Sequence, residues 1–150
     1  MTYGEKAKQN FENGYNCAQA VLLAFSDVTG LDEPTAMKLA ASMGGGMGRL
    51  REVCGAVSGL FLVAGLLYAE GEVVPAEAKA AHYARVQDLA ARFKAETGSY
   101  LCRELLEGVP VTTGSAPEER TEQYYHRRPC GELCRLAADL MAEYMEEQKR

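Results

Sequence analysis

The sequence has few prolines and an excess of acidic over basic residues. Its 150 residues include five prolines, and 16 lysines and arginines stand against 21 acidic residues, so the formal net charge is −5. Few prolines and 47% hydrophobic residues exclude a disordered tail and a collagen-like repeat. The basic residues are scattered, which argues against a nucleic-acid partner, because a phosphate backbone needs a basic face. We expect one domain spanning residues 1–150.

We also expect no export signal and no membrane anchor, because none is visible at the start of the sequence. Residues 1–16 mix acidic, basic and polar residues and contain no apolar stretch. The longest uncharged run, Val53 to Ala69, is at the short limit for a membrane span, and no second span accompanies it. We interpret this run as a core helix and expect a cytoplasmic protein without membrane insertion.

Apolar residues recur at helical spacing along the chain, and no stretch alternates with the period of a β-strand. Asn16 and Asp32 are typical helix caps, and Pro75 is placed where a helix begins. We predict an all-α fold, an irregular bundle of about six to eight helices around the apolar segment. The predicted helices cover roughly residues 3–13, 17–25, 32–42, 50–68, 75–97, 100–106, 117–127 and 129 onward.

Cysteine is the residue type that points to chemistry. Four of the five cysteines stand at or near the start of a predicted helix, where free backbone N–H groups and the helix dipole stabilise a thiolate. The thiolate is the form that attacks disulfides and binds metals. The four candidates are Cys17, Cys54, Cys102 and Cys130. The fifth, Cys134, shares a helix face with Cys130, so the two either resolve one another or one of them fills the core.

The cysteine spacings exclude two kinds of site. No Cys-x-x-Cys motif occurs, so a thioredoxin-like site is ruled out, and the separations do not match a zinc ribbon. Cysteines from separate helices can still converge in the core of a bundle. A cysteine–histidine hydrolase is disfavoured, because no Asn or Asp is evidently placed to orient His126.

A glycine run from Gly44 to Gly48 precedes the second cysteine and matches neither the dinucleotide-binding pattern nor the P-loop. Two interpretations stay open: a flexible turn that lets helices pack closely, or a backbone nest facing an anion or a bound cluster. In the next helix, Gly55 and Gly59 are four residues apart and leave one helix face without side chains. Such a face allows either close packing of a neighbouring helix or a cofactor that lies flat against the backbone. The candidate cofactor-binding residues are Gly44, Gly45, Gly46, Gly48 and Gly55.

The segment Cys54-Gly55-Ala56-Val57-Ser58-Gly59, preceded by the glycine run, resembles the signature of a family of redox-active proteins labelled C_GCAxxG_C_C. Cys17, Cys102 and Cys130 look like the other cysteines of that pattern, and the resemblance spans about residues 15 to 145. The label prints glycine before cysteine, whereas this chain has Cys54 before Gly55, and Cys134 lies outside the pattern. The resemblance implies redox activity based on these cysteines. A similar domain accompanies a multihaem cytochrome, where an iron–sulfur cluster is attributed to it, so the resemblance also supports a cluster.

Three functions stay open at the level of sequence. The first is a thiol–disulfide redox protein, potentially an oxidoreductase, in which Cys54 attacks and another of the four cysteines resolves the mixed disulfide. The second is an electron carrier or metal-binding module whose four thiolates hold an iron–sulfur cluster or zinc. The third is a helical interaction module whose cysteines only fill the core. The redox partner is unidentified, and the helical faces are compatible with a homodimer.

Overall fold

The computed structural model describes all 150 residues and confirms the all-α fold. It has one helix more than the eight predicted, the short α3, and its single β-bridge pairs Val53 with Leu101. The helices are α1 Tyr3–Glu12, α2 Cys17–Ala24, α3 Ser26–Thr29, α4 Glu33–Ala40, α5 Gly55–Tyr68, α6 Ala76–Thr97, α7 Cys102–Leu105, α8 Glu122–Arg127 and α9 Cys130–Gln148. A 3₁₀ turn, Ala41–Met43, and an irregular turn, Gly44–Met47, follow α4.

Reciprocal side-chain caps determine where α1 and α2 begin. Thr2 accepts a hydrogen bond from the backbone N–H of Glu5 at 3.0 Å, and the Glu5 carboxylate accepts from the Thr2 N–H at 2.9 Å. Asn16 and Gln19 form the same pair of bonds at 2.8 and 3.0 Å. Each pair satisfies two backbone donors that a helix start leaves free. The second cap makes Cys17 the first residue of α2.

The start of α5 differs from the sequence prediction. The helix begins at Gly55, later than predicted, because the preceding residues pair with the segment before α7. The N–H of Cys54 donates to the carbonyl of Tyr100 at 2.8 Å, and the N–H of Cys102 donates to that of Glu52 at 2.6 Å. These two bonds hold the chain extended up to Cys54 and bring two cysteines from distant parts of the sequence side by side.

The start of α8 also differs from the prediction. It lies at Glu122 rather than Pro117, because the Thr121 hydroxyl caps the helix by accepting from the N–H of Tyr124 at 3.1 Å. The residues before Thr121 are left outside the helix and belong to a long loop.

Helices α2 and α5 lie at the centre of the bundle, flanked by α1 and α9. A Cβ on Gly59 would lie 2.8 Å from the Cβ of Val21 and 2.9 Å from the carbonyl oxygen of Ala18, so α5 packs directly on α2. The apolar run is thus a core helix, as predicted. The 14 residues of α5 span about 21 Å, less than the roughly 30 Å of a bilayer core. None of the helices combines the length and hydropathy that a membrane span requires.

Candidate functional site

A cavity of about 370 Å³ lies where the starts of α2, α5, α7 and α9 meet. All four cysteines and all five glycines singled out in the sequence line it, together with four arginines and one carboxylate. Exposed residues at its edge, among them Gly48 and Pro117, mark where it reaches the surface. The lining cysteines are Cys17, Cys54, Cys102 and Cys130, and the lining glycines are Gly44, Gly45, Gly46, Gly48 and Gly55.

Each lining cysteine stands at a helix start. Cys17, Cys102 and Cys130 are the first residues of α2, α7 and α9, and Cys54 is the residue that caps α5. The cavity is therefore bordered by first helical turns, whose backbone N–H groups have no partner within their own helix. All five cysteines of the chain are free thiols.

Cys17 has two neighbouring cysteines on α9, Cys130 and Cys134. Cys17, Cys130 and Cys134 affect one another's pKa. The interaction with Cys130 lowers the pKa of Cys17. The interactions with Cys134 and Cys54 and the burial of the thiol raise it by more, so the net pKa of Cys17 is well above the usual value. For Cys130, the interaction with Cys17 and burial raise the pKa. At rest these thiols are protonated.

Cys134 is the member of this group that sequence reasoning left without a role. It is completely buried, does not line the cavity, and its thiol also lies 3.7 Å from the carbonyl oxygen of Cys17. Its position one turn after Cys130 on α9 was the only sequence signal for this placement. The structure makes it a packing and hydrogen-bonding neighbour of Cys17.

The Cys54 thiol is the cysteine that the sequence favoured as the attacking group. Burial raises its pKa to about 12, although the N–H groups of Ala56 and Val57 act in the opposite direction. The helix start does supply stabilising donors, as the sequence argument expected, but the cost of burying a charge is larger. The Cys54 thiol is therefore protonated at neutral pH, like its neighbours.

Two arginines act on the other cysteines. Burial raises the pKa of Cys102. Arg51, whose Nη1 lies 3.8 Å from the Cys102 sulfur, acts in the opposite direction, but the net pKa of Cys102 stays above its usual value. Arg128 lowers the pKa of Cys130 against the effects of Cys17 and burial. The sequence analysis did not identify Arg51, because only the pairing of distant segments places it beside Cys102.

The glycine run adopts a left-handed turn. The φ angles of Gly45, Gly46 and Gly48 are +64°, +72° and +58°, and Met47 and Arg49 share this conformation at +70° and +66°. A non-glycine residue pays about 1–2 kcal/mol for left-handed backbone. Glycine does not pay this cost, which explains why three of the left-handed positions are glycines.

The residues that follow the glycines are tied to the turn by backbone hydrogen bonds. The N–H groups of Arg49, Arg51 and Glu52 donate to carbonyls within the same turn. Those bonds are Arg49 to Gly44 at 3.1 Å, Arg51 to Gly45 at 3.2 Å and Glu52 to Gly46 at 2.9 Å. These donors are not free for an anion. What the turn does at this site is bring backbone close to Cys102, since a Cβ on Gly46 would lie 2.6 Å from the Cβ of Cys102.

The loop of residues 108–121 covers one side of the cavity and is tied to the glycine turn by Arg49. Its guanidinium donates to the carbonyl of Gly114 at 2.6 Å, to the carbonyl of Thr112 at 3.0 Å and to the Thr112 hydroxyl at 2.8 Å. A further bond reaches the carbonyl of Ala116. One side chain therefore fixes the loop at three residues.

Glu118 is the acidic residue of the cavity wall. It forms ion pairs with Arg128, with Arg49 at 3.6 Å and with Arg51 at 3.8 Å. Burial raises the pKa of Glu118, but hydrogen bonds from Thr112 and the charges of Arg128 and Arg51 outweigh this effect, so the net pKa lies below the usual value. Glu118 is thus ionised and joins the loop to the site.

The side chains that line the cavity include possible metal ligands. Four cysteines lining one cavity are the ligand type of an iron–sulfur cluster. However, no three His, Cys, Asp or Glu side chains lie close enough together to hold a metal ion. The arrangement does not fit zinc or another single ion. His126 is exposed and outside the cavity, so it is not a partner for these cysteines.

Comparison with known proteins supplies one match. No curated protein and no solved structure is similar enough to the chain to match it. A family model described as "Putative redox-active protein (C_GCAxxG_C_C)" matches residues 15–144, most of the chain, and the match includes all five cysteines. The protein therefore belongs to the C_GCAxxG_C_C family of redox-active proteins.

Proposed function

We propose that the protein is a thiol–disulfide redox protein whose working pair is Cys17 and Cys130. The observation that supports this proposal is that both cysteines line one cavity at the starts of α2 and α9, and that each affects the pKa of the other. A disulfide requires sulfur atoms that can reach one another, and this pair also has access to the cavity. Family membership supports redox activity in general.

Cys130 is the proposed attacking thiol of the pair. It is the first residue of the 19-residue helix α9, and the Arg128 guanidinium acts directly on it. A long helix and a cation both favour the thiolate, which is the nucleophile in disulfide exchange. Cys17 lacks a comparable cation and is the proposed resolving thiol. Cys54 and Cys102 border the site and tune its charge.

The reaction proceeds in two exchanges. The Cys130 thiolate attacks one sulfur of an external disulfide, a new S–S bond forms, and the other half leaves as a thiolate that takes up a proton. Cys17 loses its proton and attacks the Cys130 sulfur, which releases the second half as a thiol. The external disulfide gains two electrons and two protons, and the protein acquires a Cys17–Cys130 disulfide. A dithiol reductant reverses both exchanges.

Redox titration of protein purified without oxygen tests this proposal. In buffers of reduced and oxidised dithiothreitol, we expect two of the five thiols to oxidise with one midpoint potential. Peptide mass mapping is expected to find a disulfide between Cys17 and Cys130. The variant Cys17→Ser is expected to accumulate a mixed disulfide on Cys130, because its resolving thiol is gone.

Cys134→Ala is the matched control. It removes a neighbour of Cys17 that does not line the cavity, so two-thiol oxidation is expected to persist. Loss of oxidation in this variant but not in Cys130→Ser would overturn the assignment of the pair. Retention of the same midpoint potential in Cys130→Ser would overturn the proposed function.

A second candidate function is electron transfer through an iron–sulfur cluster. The observation that favours it is that four cysteines, and not only two, line the cavity. Cys17, Cys54, Cys102 and Cys130 would hold the cluster, which would supply one-electron transfer. Near-stoichiometric iron and acid-labile sulfide in anaerobically purified protein, with bleaching on loss of any one of the four cysteines, would favour it over disulfide exchange.

The cytoplasm is the proposed location of this chemistry. Five free thiols suit a reducing compartment, where an enzyme-linked dithiol can regenerate the reduced pair. The partner is then a cellular dithiol or disulfide.

A further inference from the structure

The wall of the cysteine cavity carries an excess of positive charge. Four guanidinium groups line it, and one carboxylate, that of Glu118, accompanies them. The chain as a whole has a net charge of −5, so the cavity has the opposite sign to the protein around it. The lining arginines are Arg49, Arg51, Arg120 and Arg128.

Three of these arginines share Glu118, so their charges are not balanced within the protein. The side chains of Arg51 and Arg128 are only 17% and 5% exposed. A charge removed from water needs a partner of opposite sign or strong hydrogen bonds. One carboxylate cannot neutralise three cations, and the neighbouring thiols are protonated at rest. The cavity is therefore suited to an anionic group from outside.

Arg51 has no short hydrogen bond to the rest of the protein. Its Nη1 has the Cys102 sulfur at 3.8 Å, and its Nη2 reaches the Thr112 carbonyl at 3.4 Å and Glu118 at 3.8 Å. By contrast, Arg49 is committed to the loop through short bonds. Arg51 retains donors in the planar arrangement that binds a carboxylate with two hydrogen bonds.

The remaining arginine serves a structural purpose. Arg120 donates to the carbonyls of Phe11 and Tyr15 at 3.0 and 3.2 Å, and its guanidinium stacks on the Phe11 ring. It adds positive charge to the cavity without offering its hydrogen-bond donors. The recognition of an anion thus falls to Arg51, with Arg128 beside the attacking sulfur.

We propose that the cavity selects small disulfides that carry carboxylate groups, with Arg51 binding the carboxylate while Cys130 attacks the sulfur. This inference rests on the proposed thiol–disulfide function and names its substrate class. The volume of about 370 Å³ lies in the range of small-molecule sites. The two exchanges balance as described above, and the products are two carboxylate-bearing thiols.

Oxidation of the reduced protein by three disulfides of different charge tests the proposal. The probes are oxidised glutathione, which is anionic, bis(2-hydroxyethyl) disulfide, which is neutral, and cystamine, which is cationic. The rate of Cys17–Cys130 disulfide formation is measured by quenching and mass spectrometry. We expect the anionic probe to react about tenfold faster than the neutral one and the cationic probe to be slowest. Added salt should reduce the preference.

Variants separate recognition from reactivity. Arg51→Gln is expected to lower the ratio of anionic to neutral rates at least threefold, whereas a change in thiol reactivity alone affects both rates and cancels in the ratio. Arg103→Gln is the matched control, because Arg103 is exposed and paired with Glu52. Glu118→Gln removes the one negative charge of the cavity wall and is expected to raise the ratio of anionic to neutral rates.

The outcomes of the two proposals are distinguishable. Oxidation by all three probes at similar rates in the wild-type protein would overturn the substrate class while leaving the proposed function intact. Failure of every probe to form the Cys17–Cys130 disulfide would overturn the proposed function itself. A preference that persists unchanged in a folded Arg51→Gln variant would overturn the assignment of Arg51.

Discussion

Replacing Gly46 by alanine is expected to destabilise the fold more than the same change at Gly48, although both glycines have left-handed backbone. Their φ angles are +72° and +58°, so alanine pays a similar conformational cost at either position, about 1–2 kcal/mol. The surroundings differ. A Cβ on Gly48 would have one neighbour within 4 Å, the carbonyl oxygen of Ser42 at 3.9 Å. Gly48→Ala therefore measures the conformational cost alone.

At Gly46 the added methyl group also meets fixed atoms. It would lie 2.6 Å from the Cβ of Cys102, 2.8 Å from the Cα of Arg51 and 2.8 Å from the N of Glu52. Carbon atoms in contact prefer about 3.5–4.0 Å, and two of the three neighbours are backbone atoms that cannot rotate away. Overpacking of this kind costs about 1–3 kcal/mol. The total loss for Gly46→Ala is then about 2–5 kcal/mol.

Urea unfolding followed by circular dichroism measures both variants, since the chain has no tryptophan to report by fluorescence. The free energy of unfolding should be lower for Gly46→Ala than for Gly48→Ala by about 1–3 kcal/mol. Equal losses in the two variants would refute the reasoning, because they would mean that the turn does not press on Cys102. Unchanged slopes with urea would show that the unfolded states are comparable.

Three further predictions concern a buried thiol, a helix cap and an arginine of the cavity wall. Burial raises the pKa of Cys54 to about 12, so between about pH 8.5 and 12 the folded chain holds more protons than the unfolded one. The free energy of unfolding should therefore fall as pH rises through this range, by up to about 1.4 kcal/mol per unit for each such thiol, and less steeply in Cys54→Ala. Asn16→Ala should cost about 1–2 kcal/mol in urea unfolding, more than Thr2→Ala, because Asn16 also donates to the Ala41 carbonyl at 3.3 Å. Arg128→Gln should raise the pKa of Cys130 and slow its alkylation by iodoacetamide about tenfold per pKa unit, whereas the exposed Arg127→Gln should not.

The helical fold could be predicted because its signals are local. Apolar spacing indicated the helices, and Asn16 carried enough information to place the start of α2 and hence Cys17 at its first position. The start of α5 could not be found in this way. It depends on the bonds between the segments ending at Cys54 and Cys102, which are far apart in sequence.

The same contrast applies to the cysteines. Their positions at helix starts followed from caps, prolines and glycines nearby in the chain. Their relative roles did not, because burial and neighbouring charges decide a thiol pKa, and both depend on long-range packing. The sequence therefore did not predict the raised pKa of Cys54, the position of Arg51 beside Cys102 or the contact of Cys134 with Cys17.

The sequence by itself determined the helical class, the approximate helices, the family and the positions of four cysteines at helix starts, because these depend on local periodicity, capping and motif. The tertiary structure decided that four helix starts meet at one cavity, that the glycine run is left-handed and that arginines outnumber the carboxylate there. These features arise from contacts between distant segments, and the balance of burial and charge that they create exists only in the folded chain.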